Sequence, residues 1–95
     1  MKKAYILSIY RSTPEADKLA AYAPAALAAI EGAGGRFIVR GTPSKIFENG
    51  LIERSIVIEF DSAEAAAAAY ESSEYQAAFA LLGDVDRAVR IVEGV

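Results

Sequence analysis

The chain has 95 residues, of which 54% are apolar, and its net charge at pH 7 is −3. This length predicts a single domain over residues 1–95, and the apolar content argues against disorder. The sequence contains no cysteine and no histidine. It therefore lacks the residues for disulfides, for thiolate chemistry and for the most common general base, and we expect no metal or other cofactor.

The charge balance and the apolar runs also limit the partners that we expect. A chain with net negative charge has no basic field to attract nucleic acid. Charged residues interrupt every apolar stretch before it reaches the length of a membrane span, and no secretory signal is visible. These features predict a cytoplasmic protein with neither a nucleic-acid partner nor a membrane partner.

The first third of the chain predicts a strand followed by a helix. Residues 4–10 are rich in β-branched and aromatic side chains, which is typical of a strand. The segment 12–15, Ser-Thr-Pro-Glu, predicts a helix start with a hydroxyl cap and with proline at the first helical position. The helix then carries an apolar stripe as far as Gly32, and we expect a kink or a break at Pro24.

The middle of the chain predicts two strands joined by a hairpin. Residues 36–40 form the second predicted strand, with a bulge or bend at Gly41, and residues 44–47 are a candidate continuation of it. The Asn-Gly pair at 49–50 is typical of a tight hairpin turn. Residues 53–60 form the third predicted strand.

The last third predicts a helix in two pieces and a final strand. Asp61 or Ser62 caps the first piece, residues 72–74 start the second piece, and residues 88–93 form the last strand after a loop at 84–87. The resulting order is βαββαβ. It predicts an α+β, ferredoxin-like domain, in which both helices cover one face of a four-stranded antiparallel sheet.

Alternating strand positions divide the predicted sheet into two faces. We assign to the helices the wholly apolar set, which is Tyr5, Leu7, Ile9, Phe37, Val39, Ile56, Ile58, Phe60, Val89 and Ile91. The opposite set is mixed and comprises Ile6, Ser8, Tyr10, Ile38, Arg40, Ser55, Val57, Glu59, Arg90 and Val92. Its apolar members form a patch that soluble monomers seldom expose. We therefore expect a homodimer whose two sheets face each other and enclose a ligand pocket.

Several segments, taken in order, resemble a known family. They are Gly34-Gly35-Arg36-Phe37-Ile38-Val39-Arg40-Gly41, Ile56-Val57-Ile58-Glu59-Phe60, Tyr70-Glu71-Ser72-Ser73-Glu74-Tyr75-Gln76 and Ile91-Val92-Glu93-Gly94. Together they resemble domain-of-unknown-function family 1330, which belongs to the dimeric α/β-barrel superfamily. The resemblance covers essentially the whole chain and implies a ferredoxin-like homodimer. It implies no particular activity, because members of the superfamily carry out several chemistries.

The sequence departs from that family pattern at a position that bears on ligand binding. An arginine that is common in relatives shortly after the Tyr-Gln motif is replaced by Leu82, with Gly83 next. Either this protein has lost that arginine or Arg87 substitutes for it. Relatives also often carry tryptophan at the position of Ala69 and a slightly longer hairpin at residues 50–52.

Four residues of the mixed face are candidate ligand-binding residues, namely Arg40, Glu59, Tyr10 and Ser8. The guanidinium of Arg40 either binds a carboxylate or enolate oxygen of a ligand or forms an ion pair, with Glu59 or with the other subunit. An enclosed Glu59 either has a raised pKa and moves a proton, which makes it a candidate catalytic residue together with Tyr10, or it pairs with Arg40 or caps the following helix.

Three functions are open at this point. The leading hypothesis is a homodimer that binds a small anionic or carbonyl-bearing organic molecule between its sheets. The rival is a cofactor-free isomerase or monooxygenase, in which Arg40 polarises an oxygen and Glu59 or Tyr10 moves a proton. The third is a structural dimer without a ligand. A direct ion pair between Arg40 and Glu59 in a dry interface would favour the third hypothesis.

Overall fold

The computed structural model describes residues 2–95, and its strands and helices follow the expected order. The strands are β1 (Ala4–Tyr10), β2 (Arg36–Gly41), β3 (Ser55–Phe60) and β4 (Arg87–Glu93), and the helices are α1 (Ala16–Gly32), α2 (Ala63–Glu71) and α3 (Ser73–Ala80). The strands form one antiparallel sheet in the order β2-β3-β1-β4. This arrangement confirms the ferredoxin-like α+β fold. None of the helices among residues 2–95 is long and apolar enough to cross a membrane.

Helix α1 begins later than the sequence predicts. Its first residue is Ala16, and the N-terminus has no side-chain cap. The hydroxyl of Ser12 instead accepts a hydrogen bond from the backbone N–H of Asp86 at 2.9 Å, and the hydroxyl of Thr13 donates to Glu53 at 2.8 Å. The predicted hydroxyl cap is wrong because both hydroxyls tie the segment before α1 to distant parts of the chain.

The rest of α1 follows the sequence pattern. The helix is one element that contains Pro24 and ends at Gly32, so the break considered at Pro24 does not occur. Gly34 follows with a φ of 94°, which glycine adopts without steric cost. The buried residues of the helix are Tyr22, Ala26 and Ile30, all members of the predicted apolar stripe.

Serine hydroxyls start both later helices. Ser62 Oγ accepts a hydrogen bond from the backbone N–H of Ala65 at the start of α2, and Ser72 Oγ accepts one from the N–H of Tyr75 at the start of α3; both bonds measure 3.1 Å. Of the two predicted caps for the first piece, the structure selects Ser62 over Asp61. The predicted second start at residue 72 is confirmed.

The connection between β2 and β3 is irregular over most of its length. Strand β2 ends at Gly41, so residues 44–47 do not continue it. A turn forms near the predicted position, where the N–H of Gly50 bonds to the C=O of Phe47 at 3.0 Å. However, β3 begins only at Ser55, so the turn is not a tight hairpin between two strands.

Strand β1 turns the opposite face to the helices from the one predicted. Its buried side chains are Ala4, Ile6, Ser8 and Tyr10. The pairing with β3 accounts for this, because Ile6 lies opposite Ile58 and Ser8 lies opposite Ile56, and directly paired residues share a face. The prediction is wrong because both faces of β1 are largely apolar, so that apolarity alone does not distinguish them.

A bulge in β2 moves Arg40 to the helix side of the sheet. The register between β2 and β3 shifts between Phe37 and Val39. After this shift Arg40 lies opposite Ile56, which is buried against the helices. The bulge predicted at Gly41 thus occurs earlier in the strand. As a result, Val39 and Arg40 lie on the opposite faces from those predicted.

The face of the sheet that points away from the helices is called the open face below. Its members are Tyr5, Leu7, Ile9, Arg36, Val39, Ser55, Val57, Glu59, Ala88, Arg90 and Val92. Apolar side chains predominate in its centre, and Val39 and Val92 are 47% and 45% exposed. The open face is therefore a mixed surface of the predicted kind, although its members differ from the predicted set.

Candidate ligand-binding site

One end of the sheet carries three arginines that line the space beneath the helices. On β4, Arg87 lies directly opposite Tyr10. On the other side of β1, the C=O of Arg54 accepts a hydrogen bond from the N–H of Tyr10 at 2.9 Å. Arg40 lies one strand further out, on β2. The order across the sheet is therefore Arg40, Arg54, Tyr10 and Arg87.

These side chains line a cavity between the sheet and the helices. Its volume is about 40 Å³, which is room for about three water molecules. Tyr22 from α1, Tyr70 from α2 and Tyr75 from α3 contribute aromatic walls, and Ser8 contributes a hydroxyl. A mostly apolar lining with a few convergent polar groups is typical of a small-molecule site.

Arg87 makes the central polar contacts of the cavity. Its Nη1 donates to Ser8 Oγ at 3.2 Å and to the Tyr22 hydroxyl at 3.4 Å, and its Nη2 donates to the Tyr75 hydroxyl at 3.3 Å. The guanidinium thus ties β4 to β1, α1 and α3. All three partners are neutral hydroxyl groups.

Aromatic rings surround the same guanidinium. Its central carbon lies 4.8 Å from the ring centroid of Phe79, 5.5 Å from that of Tyr10 and 5.8 Å from that of Tyr22. Cation–π contacts of this kind stabilise a charge that is partly removed from water. Burial favours the neutral form of Arg87, but the oxygens of Tyr75 and Tyr22 outweigh it and hold the pKa of Arg87 above its usual value. Arg87 is therefore a cation in the folded protein.

Two tyrosine hydroxyls form a pair beside Arg87. The hydroxyl oxygens of Tyr22 and Tyr75 lie 2.7 Å apart. Burial, reinforced by Tyr75, raises the pKa of Tyr22, so its hydroxyl stays protonated at neutral pH. Each hydroxyl carries one hydrogen, and only one of the two hydrogens is used between them. The other remains for a further acceptor, and none of the side-chain hydrogen bonds in the described part of the chain uses it.

The cavity has an excess of positive charge. None of the ion pairs within residues 2–95 involves Arg40, Arg54 or Arg87. Among residues 2–95, no aspartate or glutamate lines the cavity. The Nε of Arg54 is buried without a hydrogen-bond partner among the described residues, which is costly for a charged group. The exposed guanidinium of Arg40 lies 5.5 Å from the ring centroid of Phe37.

The structure brings three of the four predicted site residues together. Ser8, Tyr10 and Arg40 all line the cavity beneath the helices, not a space on the open face as predicted. The location is wrong because β1 presents its other face and because the bulge turns Arg40. Three of the four predicted residues thus lie together, but on the other side of the sheet from the one predicted.

Glu59 is the exception, because it lies on the open face and pairs with a different arginine. Its carboxylate accepts hydrogen bonds from Arg36 Nη2 at 2.6 Å and from the Tyr5 hydroxyl at 3.1 Å. Hydrogen bonding by Arg36 and then by Tyr5 lowers the pKa of Glu59. Two of the alternatives considered for Glu59, a pairing with Arg40 and a raised pKa, are therefore wrong. A carboxylate held in its charged form is a weak proton acceptor.

Arg54 is not among the candidate residues predicted from the sequence, and Arg87 lies in a strand where the sequence predicts a loop. Arg54 lies two positions before Ile56, and this spacing puts both residues on one face of an extended strand. That signal was available in the sequence. Arg87 is the first residue of β4, where pairing with Tyr10 directs it into the cavity.

The chain is a ferredoxin-like α+β domain with a cavity between its sheet and its helices. The chain belongs to the family Domain of unknown function (DUF1330), whose model matches residues 3–95. No curated protein matches the sequence.

Solved structures with the same fold include a protein of unknown function from Rhodopseudomonas palustris. It has a TM-score of 0.75 and 16% identity, and the match covers 99% of this chain and 83% of that one. A dimeric ferredoxin-like protein of unknown function from Thermobifida fusca has a TM-score of 0.64 and 16% identity, with coverage of 97% and 91%. A protein from Caulobacter crescentus, provisionally named an antibiotic biosynthesis monooxygenase, has a TM-score of 0.62 and 14% identity, with coverage of 99% and 91%. At these identities the similarity concerns the fold.

Proposed function

We propose that this protein binds a small organic anion in the cavity beneath its helices, with Arg87 as the main anion-binding residue. The observation that carries the proposal is the charge of the lining, which has three arginines and no carboxylate. Buried charges in proteins are normally paired. A ligand carboxylate would supply the missing counter-charge.

The groups around Arg87 suit a carboxylate or an enolate. A guanidinium presents parallel N–H donors that match two carboxylate oxygens, and such charge-assisted bonds are about twice as strong as neutral ones. The pair Tyr22 and Tyr75 has one further hydrogen to donate. The contacts of Arg87 with these hydroxyls are 3.3 and 3.4 Å long, so an anionic acceptor can replace them at little cost. The cavity has room for the carboxylate group, and the apolar body of the ligand extends from it towards solvent.

A matched pair of ligands tests this proposal. Benzoate and benzamide have the same shape and differ in charge. We expect benzoate to raise the melting temperature of the protein and benzamide to leave it unchanged. At a ligand concentration a hundred times Kd, the stabilisation is about 2.7 kcal/mol. If no member of a panel of small carboxylates raises the melting temperature, the proposal is wrong and the structural-dimer hypothesis gains.

Variants then locate the binding site. The substitution Arg87→Met removes the central guanidinium, and we expect it to abolish the shift with benzoate. The matched control is Arg11→Met, which removes an equal charge from an exposed side chain whose partner is Asp86. If Arg87→Met does not fold, Arg54→Met serves in its place, and weaker benzoate binding is expected. Unchanged binding in both Arg87→Met and Arg54→Met would overturn the assignment.

One observation favours an enzyme as the second candidate function. Arg87 and the two tyrosine hydroxyls converge on one point of the cavity, and donors arranged in this way stabilise the negative oxygen of an enolate. A cofactor-free isomerase or monooxygenase uses such a group, and the protein from Caulobacter crescentus has a related provisional name. The test is conversion of a carbonyl compound that binds, monitored by absorbance and mass spectrometry. Binding without turnover supports the simple binding protein.

We also propose that a second copy of the chain covers the open face. The support is the apolar centre of that face, which soluble monomers seldom leave bare, and the dimeric relative from Thermobifida fusca. In such a dimer the two ligand cavities lie on the outer sides of the paired sheets, so each subunit holds its own site. The cytoplasmic location stays a prediction from the sequence.

A further inference from the structure

We propose that the ligand of this cavity is a dianion, a short dicarboxylate whose two ends meet two separate cationic groups. This inference rests on the proposed function and goes further, because it names the class of anion. The first cationic group is Arg87, and the second is formed by Arg54 and Arg40. Tyr10 lies between the two groups on β1.

The strand register places the two cationic groups on opposite sides of β1. Arg87 lies opposite Tyr10 on β4, and Arg54 bonds to Tyr10 through its backbone on the β3 side. Their backbones are therefore two strand spacings apart, about 10 Å. Both side chains line the same cavity. Two arginines that enter one cavity from opposite sides of β1 can each meet one end of a dianion.

The two cationic groups also differ in the hydrogen-bond partners that they have within the protein. Arg87 has three hydroxyl partners and three aromatic rings around it. The Nε of Arg54 is buried and has no hydrogen-bond partner among the described residues. An unpaired buried donor costs free energy that a second anionic group on the ligand would recover. Arg54 therefore still lacks an acceptor when a ligand carboxylate is bound to Arg87.

The shape of the cavity agrees with a ligand that extends from the inside to the surface. The cavity volume of about 40 Å³ accepts a carboxylate group but not a whole dicarboxylate, so the rest of the ligand lies outside it. Arg40 is exposed and lines the same cavity, so it marks the side that is open to solvent. A dicarboxylate would place one end on Arg87 and the other near Arg54 and Arg40.

Two pairs of compounds separate a dianion site from a simple anion site. Adipate is compared with hexanoate, and terephthalate with benzoate, by isothermal titration calorimetry on the full chain. Within each pair the carbon skeleton is similar and only the second carboxylate differs. We expect the dianion to bind at least about tenfold more tightly than its monoanion in one of the pairs.

The variant Arg54→Met, alone and combined with Arg40→Met, tests the second cationic group. We expect both variants to lower the affinity for the dianion much more than the affinity for the monoanion, and so to remove the advantage of the dianion. The control Arg11→Met removes one positive charge outside the cavity and should keep the advantage. Because Arg40 is exposed, Arg40→Met alone serves as the informative variant if Arg54→Met does not fold.

The outcomes distinguish this inference from the function on which it rests. If monoanions and dianions bind equally in both pairs and binding still requires Arg87, the dianion inference is overturned and the anion-binding function stands. If the advantage of the dianion persists in the Arg40 and Arg54 variants, the second cationic group is wrongly assigned. If no compound of either pair binds, both proposals are overturned.

Discussion

The hydroxyl oxygens of Tyr22 and Tyr75 lie 2.7 Å apart and join α1 to α3 beside the guanidinium of Arg87. The rings of the two tyrosines meet edge to face, with centroids 6.2 Å apart. In the free protein these groups hold the two helices on the sheet and surround the half-buried cation of Arg87. The same atoms are the donors that we assign to the ligand. Stability and binding therefore depend on one cluster.

Removal of one hydroxyl of this pair should destabilise the fold. The substitution Tyr75→Phe takes one acceptor from Arg87 and leaves the buried hydroxyl of Tyr22 with only its long contact to Arg87, at 3.4 Å. We expect a loss of about 1–3 kcal/mol in the free energy of unfolding, because unpaired buried polar groups are costly. Urea denaturation followed by circular dichroism measures this change.

Tyr70→Phe is the matched control for that experiment. Tyr70 also lines the cavity, but its hydroxyl takes part in none of the side-chain hydrogen bonds found within residues 2–95. Its removal should change the free energy of unfolding by less than about 0.5 kcal/mol. Equal losses in the two variants would contradict the role that we give to the Tyr22–Tyr75 hydrogen bond.

The pair Arg36 and Glu59 should make stability depend on pH in the acidic range. Hydrogen bonding by Arg36 lowers the pKa of Glu59 in the folded state below its value in the unfolded chain, which is about 4.3. The unfolded state therefore binds more protons in that range. The stabilisation is fully present above about pH 4.3 and is lost as the pH falls through the lower folded-state pKa.

The substitution Glu59→Gln tests this dependence. We expect the free energy of unfolding of the variant to fall less steeply with decreasing pH below about 4.3 than that of the unsubstituted protein. Denaturation curves at a series of pH values give the slope. Glu31→Gln is the control, since Glu31 is exposed at the end of α1 and takes part in none of the ion pairs of the described chain. An identical slope in Glu59→Gln and the unsubstituted protein would contradict the prediction.

Local signals in the sequence were sufficient for most of the fold. Strand and helix order follows from the apolar periodicity, the start of α3 from Ser72, and the end of α1 from the glycines after Ile30. These features involve residues that are close in sequence, so they can be recognised from the sequence alone. The start of α1 is different, because the hydroxyl of Ser12 has a partner 74 positions away, at Asp86.

The candidate site was harder to predict because it depends on register. Both faces of β1 carry large apolar residues, so the side that holds Tyr10 is fixed only by pairing with β3. A one-position bulge between Phe37 and Val39 determines the face of Arg40. Arg87 looks like a solvated loop residue in the sequence, and only its pairing on β4 reveals that its charge is enclosed by aromatic rings. Strand pairing between residues that are far apart in sequence has no local sequence pattern from which it could be predicted.

The close approach between α1 and β3 should make Gly35 intolerant of any side chain. A Cβ at Gly35 would lie 2.6 Å from Ile30 Cγ2 and 2.7 Å from Phe60 Cζ. We expect Gly35→Ala to lower the free energy of unfolding by about 1–3 kcal/mol, the usual cost of an overpacked core. Thermal and urea denaturation measure the change.

Gly32→Ala provides the contrast, because a Cβ at Gly32 meets no atom within 4 Å. Gly32 is also the last residue of α1, where alanine has the higher helix propensity. We expect this variant to be neutral or to stabilise the protein by up to about 1 kcal/mol. If Gly35→Ala is as stable as Gly32→Ala, the approach of the helix end to the ring of Phe60 is looser than the structure indicates.

The open face should determine the oligomeric state. We expect the unsubstituted protein to sediment as a dimer at micromolar concentration, because the apolar centre of that face gains from burial against a second copy. Val39→Glu places a charge in this surface, where an unpaired carboxylate opposes desolvation, and should give a folded monomer. Val39 is 47% exposed in the single chain, so the substitution leaves the core intact.

Leu81→Glu is the control, because it alters a residue of similar exposure, 46%, that follows α3 on the other side of the molecule. This variant should remain a dimer. A monomeric unsubstituted protein, or a dimer that Leu81→Glu dissociates and Val39→Glu does not, would show that the two copies do not meet through the open face.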